Sequence, residues 1–94
     1  MQAIFNGKVI AQSDKTIVIE GSHYFPPESV NMEHIRNRQE AAYVCPWKGV
    51  ADYYDVTVDG ETAPGATWVY PEPKEAAKEI TGYFAFWKGV EVGE

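Results

Sequence analysis

The chain is poor in the residues that build covalent cross-links, metal sites and polyanion-binding surfaces. It has one cysteine, two histidines and eight basic residues against fourteen acids, for a formal charge of −6 over 94 residues. One cysteine excludes an internal disulfide and a zinc site made of several cysteines. Phosphate-backbone binding depends on Lys and Arg, so the acidic balance excludes a general nucleic-acid role. We expect no metal and no cofactor.

The sequence also lacks an apolar run of about eighteen residues and a charged-then-apolar leader. We therefore expect no membrane partner and a location in the cytoplasm of a bacterium-like cell. The length predicts one β-rich domain over residues 1–94. Whether that domain is a monomer or a homodimer stays open.

Aromatic residues are abundant: three tryptophans, six tyrosines and four phenylalanines. Each large ring can bury roughly 150–250 Å², so we expect rings to dominate the core of so small a chain. Some rings should remain at the surface, where an indole or phenol with a polar tip suits ligand contact.

Turn signals and alternating apolar residues predict mostly strands. Asn6-Gly7 and Asp59-Gly60 are typical of two-residue hairpins, because both positions of a type I′ turn need a positive φ. The opening predicts a three-stranded meander over residues 2–5, 8–12 and 16–20, ended by Gly21-Ser22. Two further strands are predicted over 42–45, which stops at Pro46, and over 50–58. A strand over 66–70 follows Pro64-Gly65, and the last strand, over 83–92, is broken near Gly89.

Two segments interrupt this pattern. Residues 22–40 contain Pro26-Pro27 and predict a short helical turn or a loop, although Val30, Met32 and His34 would also alternate as a strand; His34 is expected to be exposed. Residues 71–81 predict a helix with Pro73 in its first turn and Gly82 after its end. The fold class is therefore mainly β (α+β): a small antiparallel barrel-like or two-sheet domain with one short helix near the C-terminus, covering an opening or an edge.

The segment Cys45-Pro46-Trp47-Lys48-Gly49 concentrates chemically distinct groups in five residues. Cys45 could be a thiol activated by the nearby Lys48 or a small buried hydrophobe at a strand end. Lys48 could neutralise an anionic ligand or be a solvated lysine. Trp47 could stack on a ligand or hold the bend against the core. The sequence Trp-Lys-Gly-Val at 47–50 recurs at 87–90, which favours two similar bends at corresponding sheet corners.

His23 and Cys45 form the one nucleophile–base pair that the composition allows. With Lys48 as electrostatic support, they would make an enzyme if the fold brought them together. The alternative is a loop histidine that packs beside Tyr24.

Five segments, taken in order, resemble a small bacterial family catalogued as domain of unknown function 427, sometimes labelled a nucleotidyltransferase-like domain. They are Asn6-Gly7-Lys8-Val9, His23-Tyr24-Phe25-Pro26, Cys45-Pro46-Trp47-Lys48-Gly49 with Tyr53-Tyr54, Trp68-Val69-Tyr70-Pro71, and Ala85-Phe86-Trp87. The resemblance implies a small, mostly β protein and no established reaction.

The nucleotidyltransferase label has little support in the acidic residues. Nucleotidyl transfer usually needs paired carboxylates that hold Mg²⁺, and Asp52 and Asp55 would point to opposite faces of a strand. Asp59 and Glu61 bracket a turn, and the chain has no glycine-rich phosphate loop.

These observations favour non-covalent binding of a small polar or anionic molecule, or of a peptide, in an aromatic-lined pocket. The pocket would lie between residues 22–27 and the Cys45–Gly49 bend. The predicted binding residues are Tyr24, Trp47, Lys48, Tyr54, Trp68 and Tyr70. The alternatives are the Cys45 enzyme and a protein-interaction or dimerisation module that has no small ligand.

Overall fold

The computed structural model describes residues 1–37 and 43–94, and these residues are mainly in short antiparallel strands. The prediction of a mainly β protein is confirmed. The strands are β1 Gln2–Phe5, β2 Lys8–Gln12, β3 Ile17–Ile19, β4 Ser22–Tyr24, β5 Ile35–Asn37, β6 Tyr43–Cys45, β7 Gly49–Val58, β8 Glu61–Val69, β9 Phe84–Phe86 and β10 Glu91–Gly93.

The strands form three antiparallel sheets. One has the order β10-β1-β2, a second pairs β3 with β4, and the largest has the order β5-β7-β8-β9 with β6 also on β7. Paired backbone hydrogen bonds between Phe25 and Phe84 join the β3–β4 hairpin to the large sheet. In the part of the chain that the structure describes, none of the sheets closes into a barrel, so the expected barrel-like closure is not confirmed.

Two predicted hairpin turns are confirmed by their backbone angles. Asn6 and Gly7 have φ of 51° and 75°, and Asp59 and Gly60 have φ of 49° and 83°. Both positions of each turn are left-handed, as a type I′ turn requires. The turns connect β1 to β2 and β7 to β8.

The predicted three-stranded meander is wrong in its third strand. β3 pairs with β4, with Ile19 opposite Ser22, and not with β2. Glu20 and Gly21 form the turn between them, with φ of 52° and 81°. The sequence hides this turn because glutamate, unlike asparagine or aspartate, is not typical of a left-handed turn position.

The segment after β4 forms two short 3₁₀ turns, Pro27–Ser29 and Met32–His34, before β5 begins. The predicted helical turn is therefore confirmed, and the extended alternative is not. The expected exposure of His34 is wrong, because its side chain is 13% exposed and its Nδ1 lies 3.0 Å from the Thr57 carbonyl oxygen. Residues 38–42, which include the end of the irregular segment and the start of the strand predicted at 42, lie outside the described residues.

The predicted helix over 71–81 is shorter than expected and is a 3₁₀ segment, Glu75–Ile80, with non-helical angles at Ala77. Pro73 restricts the residue before it, and the Lys74 N–H donates to the Lys48 carbonyl instead of starting a helix. Ala77 and Ile80 are both fully buried. Their spacing of three residues fits the three residues per turn of a 3₁₀ helix.

The large sheet separates two hydrophobic clusters because successive side chains of a strand point to opposite faces. On β9, Phe84 and Phe86 belong to the first cluster and Ala85 to the second. Phe25 and Tyr24 divide in the same way. The second cluster also holds Cys45, Ala51, Tyr70, Ala77 and Ile80. Among the described residues, no helix has the length and apolar character needed to span a membrane.

Candidate functional site

A cleft of about 300 Å³ opens beside the second hydrophobic cluster. Strands β6, β7 and β8, the bend between β6 and β7, and the residue after β9 each contribute to its wall. The lining side chains are Tyr43, Lys48, Tyr53, Trp68, Tyr70 and Trp87. Five of the six are aromatic, and the sixth is a lysine.

Cross-strand pairing brings the rings of the cleft together. Tyr53 on β7 lies opposite Trp68 on β8, and Trp68 lies opposite Ala85 on β9, two residues before Trp87. The Trp68 and Trp87 rings meet edge to face at 5.3 Å, and Trp87 stacks on Tyr53 with centroids 6.4 Å apart and planes 10° from parallel. Contacts of this kind contribute about 0.5–1.5 kcal/mol each beyond area burial. The cleft wall is therefore a connected aromatic layer.

Two hydrogen bonds fix the indoles of this layer. Trp68 Nε1 donates to the Tyr24 hydroxyl at 3.2 Å, and Trp87 Nε1 donates to the Gly65 carbonyl at 2.7 Å. Gly65 lies at a kink where the register of β7 and β8 shifts, and its N–H donates to Asp55 Oδ1 at 2.8 Å. With their polar tips satisfied, both indoles present ring surface to the cleft.

Lys48 supplies the positive charge of the cleft. Its side chain is 8% exposed, and its ammonium donates to Glu20 Oε1 at 2.5 Å. The ammonium also lies 5.6 Å from the centroid of the Tyr70 ring and 5.3 Å from that of Trp47, within cation–π range. Lys48 is thus held between a carboxylate and two aromatic faces.

The pKa values show how these groups are charged near neutral pH. Burial alone lowers the pKa of Lys48, but the Glu20 carboxylate and, at high pH, the phenolates of Tyr24 and Tyr70 raise it above its ordinary value. The hydrogen bond and charge of Lys48 hold the pKa of Glu20 below its ordinary range. Lys48 is therefore an ammonium and Glu20 a carboxylate at pH 7.

Two phenols of the cleft, those of Tyr53 and Tyr70, stay protonated near neutral pH. Burial raises the pKa of Tyr70 to about 12, against the opposing charge of Lys48. Burial also raises the pKa of Tyr53 above its ordinary value. Both hydroxyls remain hydrogen-bond donors near neutral pH, alongside the ammonium of Lys48.

The remaining predicted binding residues lie around this cleft rather than in its lining. Lys48, Trp68 and Tyr70 line it together. Tyr24 is buried behind Trp68. Trp47 is 39% exposed at the bend beside Lys48. Tyr54 points to the opposite face of β7 and packs on Phe84.

Three lining residues were not singled out from the sequence. Alternation along β7 separates Tyr53 from Tyr54 but does not say which face carries the cleft. The recurrence of Trp-Lys-Gly-Val pointed to Trp87, although it did not indicate that Trp87 and Lys48 would share a cleft. Tyr43 carried no signal beyond its strand.

The structure does not bring Cys45 and His23 into one site. Cys45 is buried in the second cluster, which Tyr24 also joins. His23 precedes Tyr24 on β4 and so points to the other face of that strand. Its Nδ1 lies 2.9 Å from the Thr16 hydroxyl.

Within 1–37 and 43–94, no group of three or more His, Cys, Asp or Glu side chains is placed to hold a metal ion. The Asp55 carboxylate is instead bonded to the Gly65 backbone.

The chain belongs to the family described as Domain of unknown function (DUF427), whose model, named NTP_transf_9, matches residues 1–93. The family resemblance seen in the sequence is confirmed. None of the curated proteins matches the chain.

Proposed function

We propose that this protein binds a small polar or anionic molecule with a flat ring, or a peptide side chain of that kind, without chemical change. The observation that carries the proposal is the convergence of five aromatic side chains and one buried lysine on a single cleft. Ligand sites are concave, largely apolar and supplied with a few placed polar groups. This cleft has each of these properties.

The dimensions of the cleft favour a small ligand. Its volume of about 300 Å³ lies at the lower end of the roughly 300–1,000 Å³ that ligand pockets occupy. Rings of Tyr53, Trp68 and Trp87 would supply stacking surface. The ammonium of Lys48 and the hydroxyl of Tyr70 would donate hydrogen bonds to an oxygen of the ligand.

The charge states support binding over covalent catalysis. The raised pKa of Lys48 keeps it an ammonium, which is neither a base nor a nucleophile. The raised pKa of Tyr70, at about 12, likewise leaves its hydroxyl un-ionised. The thiol of Cys45 is buried. Each of these groups therefore suits recognition of a ligand more than attack on one.

A pair of probes with one shape tests the proposal. Benzamide and benzoate are both flat, and they differ in charge. Each is titrated into ¹⁵N-labelled protein, and the indole N–H signals of Trp68 and Trp87 are followed. We expect both signals to shift when benzamide is added. We expect Tyr53→Ala to lower the affinity for benzamide about fivefold, in line with the loss of one ring contact.

Val44→Ala is the control, because it also shortens an apolar side chain on a strand beside the cleft, one that is exposed and does not line the cleft. It should change the benzamide affinity less than twofold. Dispersed amide spectra of both variants check that they are folded. If neither probe moves the two indole signals, or if both variants bind benzamide like the unmodified protein, the binding proposal is wrong.

A further inference from the structure

The ion pair of Lys48 and Glu20 is asymmetric. The lysine side chain is 8% exposed, whereas the glutamate side chain is 60% exposed. Lys48 is fixed by the aromatic faces of Trp47 and Tyr70. Glu20 reaches it from the β3–β4 turn. The carboxylate can therefore return to water with little loss of packing, while the ammonium cannot.

The backbone at Glu20 is unusual for a glutamate. Its φ of 52° places it at the first position of a two-residue turn before Gly21. Lys88 occupies the equivalent position of another such turn, with φ of 51°, and Asn6 and Asp59 occupy it in two β-hairpin turns, with φ of 51° and 49°. The short side chains of asparagine and aspartate are the ones that favour a left-handed turn. Glu20 is thus poorly suited to its turn, and its longer side chain reaches the lysine of the cleft.

We propose that Glu20 is a selectivity residue of the cleft: its carboxylate occupies the anion position on Lys48 and so favours an uncharged polar ring over a ring that carries a carboxylate. This inference rests on the proposed function and names the ligand class of the same cleft. A ligand carboxylate on Lys48 would lie close to the carboxylate of Glu20, so it either replaces Glu20 in the ion pair or is repelled by it. An amide or hydroxyl oxygen can instead accept from an N–H of the ammonium that Glu20 leaves free.

The test compares benzoate with benzamide in the unmodified protein and in Glu20→Gln. Removing the carboxylate leaves the Lys48 charge available, so benzoate should bind roughly tenfold more tightly, as expected for a hydrogen bond between charged groups. Benzamide should change less than twofold. Glu20→Asn, which suits a left-handed turn, should give the same result and guards against a folding defect in the first variant.

Glu75→Gln is the matched control for the loss of one negative charge. Glu75 is 89% exposed and forms a surface ion pair with Lys78 at 3.9 Å. It does not line the cleft, so its replacement should leave both affinities unchanged.

The outcomes separate the two proposals. If benzamide binds the unmodified protein but neither Glu20 variant tightens benzoate, the selectivity role of Glu20 is overturned and the binding function stands. Equal tightening by Glu75→Gln also overturns it, because the effect would then be one of net charge. If benzamide fails to bind the unmodified protein and benzoate fails to bind both Glu20 variants, both proposals fail.

Discussion

The two copies of Trp-Lys-Gly-Val, at 47–50 and 87–90, have the same sequence and different surroundings. Lys48 is buried and paired with Glu20, whereas Lys88 is exposed. Lys88 has a left-handed φ of 51°, and Lys48 does not. Each lysine does lie over the ring of the tryptophan before it, at 5.3 and 4.7 Å. The two copies therefore share the contact between lysine and tryptophan, but they differ in the burial of the lysine and in its backbone conformation.

The neighbours of each bend account for this difference. Residues 72–74 lie against the first bend, where the Lys74 N–H donates to the Lys48 carbonyl and the Lys74 ammonium donates to the Pro46 carbonyl. At the second bend the lysine stays in solvent. The expected pair of similar sheet corners is thus wrong in detail. The two copies meet in space, since Lys48 of one and Trp87 of the other line the same cleft.

The largest difference in stability between the two copies should appear when their glycines are replaced. Gly49 and Gly89 both have positive φ, of 114° and 99°. A Cβ on Gly49 would lie 3.3 Å from Lys74 N and 3.4 Å from Pro73 Cα. A Cβ on Gly89 would meet nothing within 4 Å. We expect Gly49→Ala to lower the free energy of unfolding by about 3 kcal/mol and Gly89→Ala by about 1–2 kcal/mol. Urea denaturation measures both. Equal losses would mean that the contact with residues 73–74 adds no strain.

A smaller difference in stability should appear when the tryptophans of the two copies are replaced. Trp87 donates to the Gly65 carbonyl and contacts the rings of Tyr53 and Trp68. Trp47 contacts Lys48 from the surface. We expect Trp87→Leu to cost about 2 kcal/mol and Trp47→Leu less than about 1 kcal/mol of unfolding free energy. The same urea series checks this, and a larger loss at Trp47 would contradict the assignment of Trp87 to the aromatic layer.

The smallest difference between the two copies should be in how the stability contributed by Lys48 and by Lys88 depends on pH. Lys48 lowers the pKa of Glu20 from its ordinary value of 4.5. The Lys48–Glu20 pair therefore stabilises the folded protein above about pH 4.5, and this stabilisation is lost as the pH falls through the pKa of Glu20 in the folded state. The stability advantage of the unmodified protein over Lys48→Gln should therefore shrink on acidification. Lys88→Gln should show no such change. Urea midpoints at pH 7 and pH 3 test this, and parallel acid profiles of the two variants would argue against the Glu20 pair.

The sequence predicted the elements whose cause is local. Asn6-Gly7 and Asp59-Gly60 specify their turns because few residues accept two left-handed positions. The same rule missed Glu20-Gly21, because there the first residue is one that the turn disfavours. Its pairing with Lys48, 28 residues away, belongs to the tertiary structure. Of the predicted binding residues, Lys48, Trp68 and Tyr70 line the cleft; they were chosen by residue type, since aromatic and cationic groups suit ligands.

By itself, the sequence determined the family, the mainly β class, the hairpin turns and the residue types available for a site. Tertiary structure decided which of Tyr53 and Tyr54 faces the cleft, which of two identical bends buries its lysine, and that Cys45 lies in a core while His23 points away from it. The physical reason is that turn geometry depends on neighbouring residues, whereas burial depends on which distant segment packs against a side chain. For Lys48 those segments are the Glu20 turn and residues 72–74, and no local pattern identifies them.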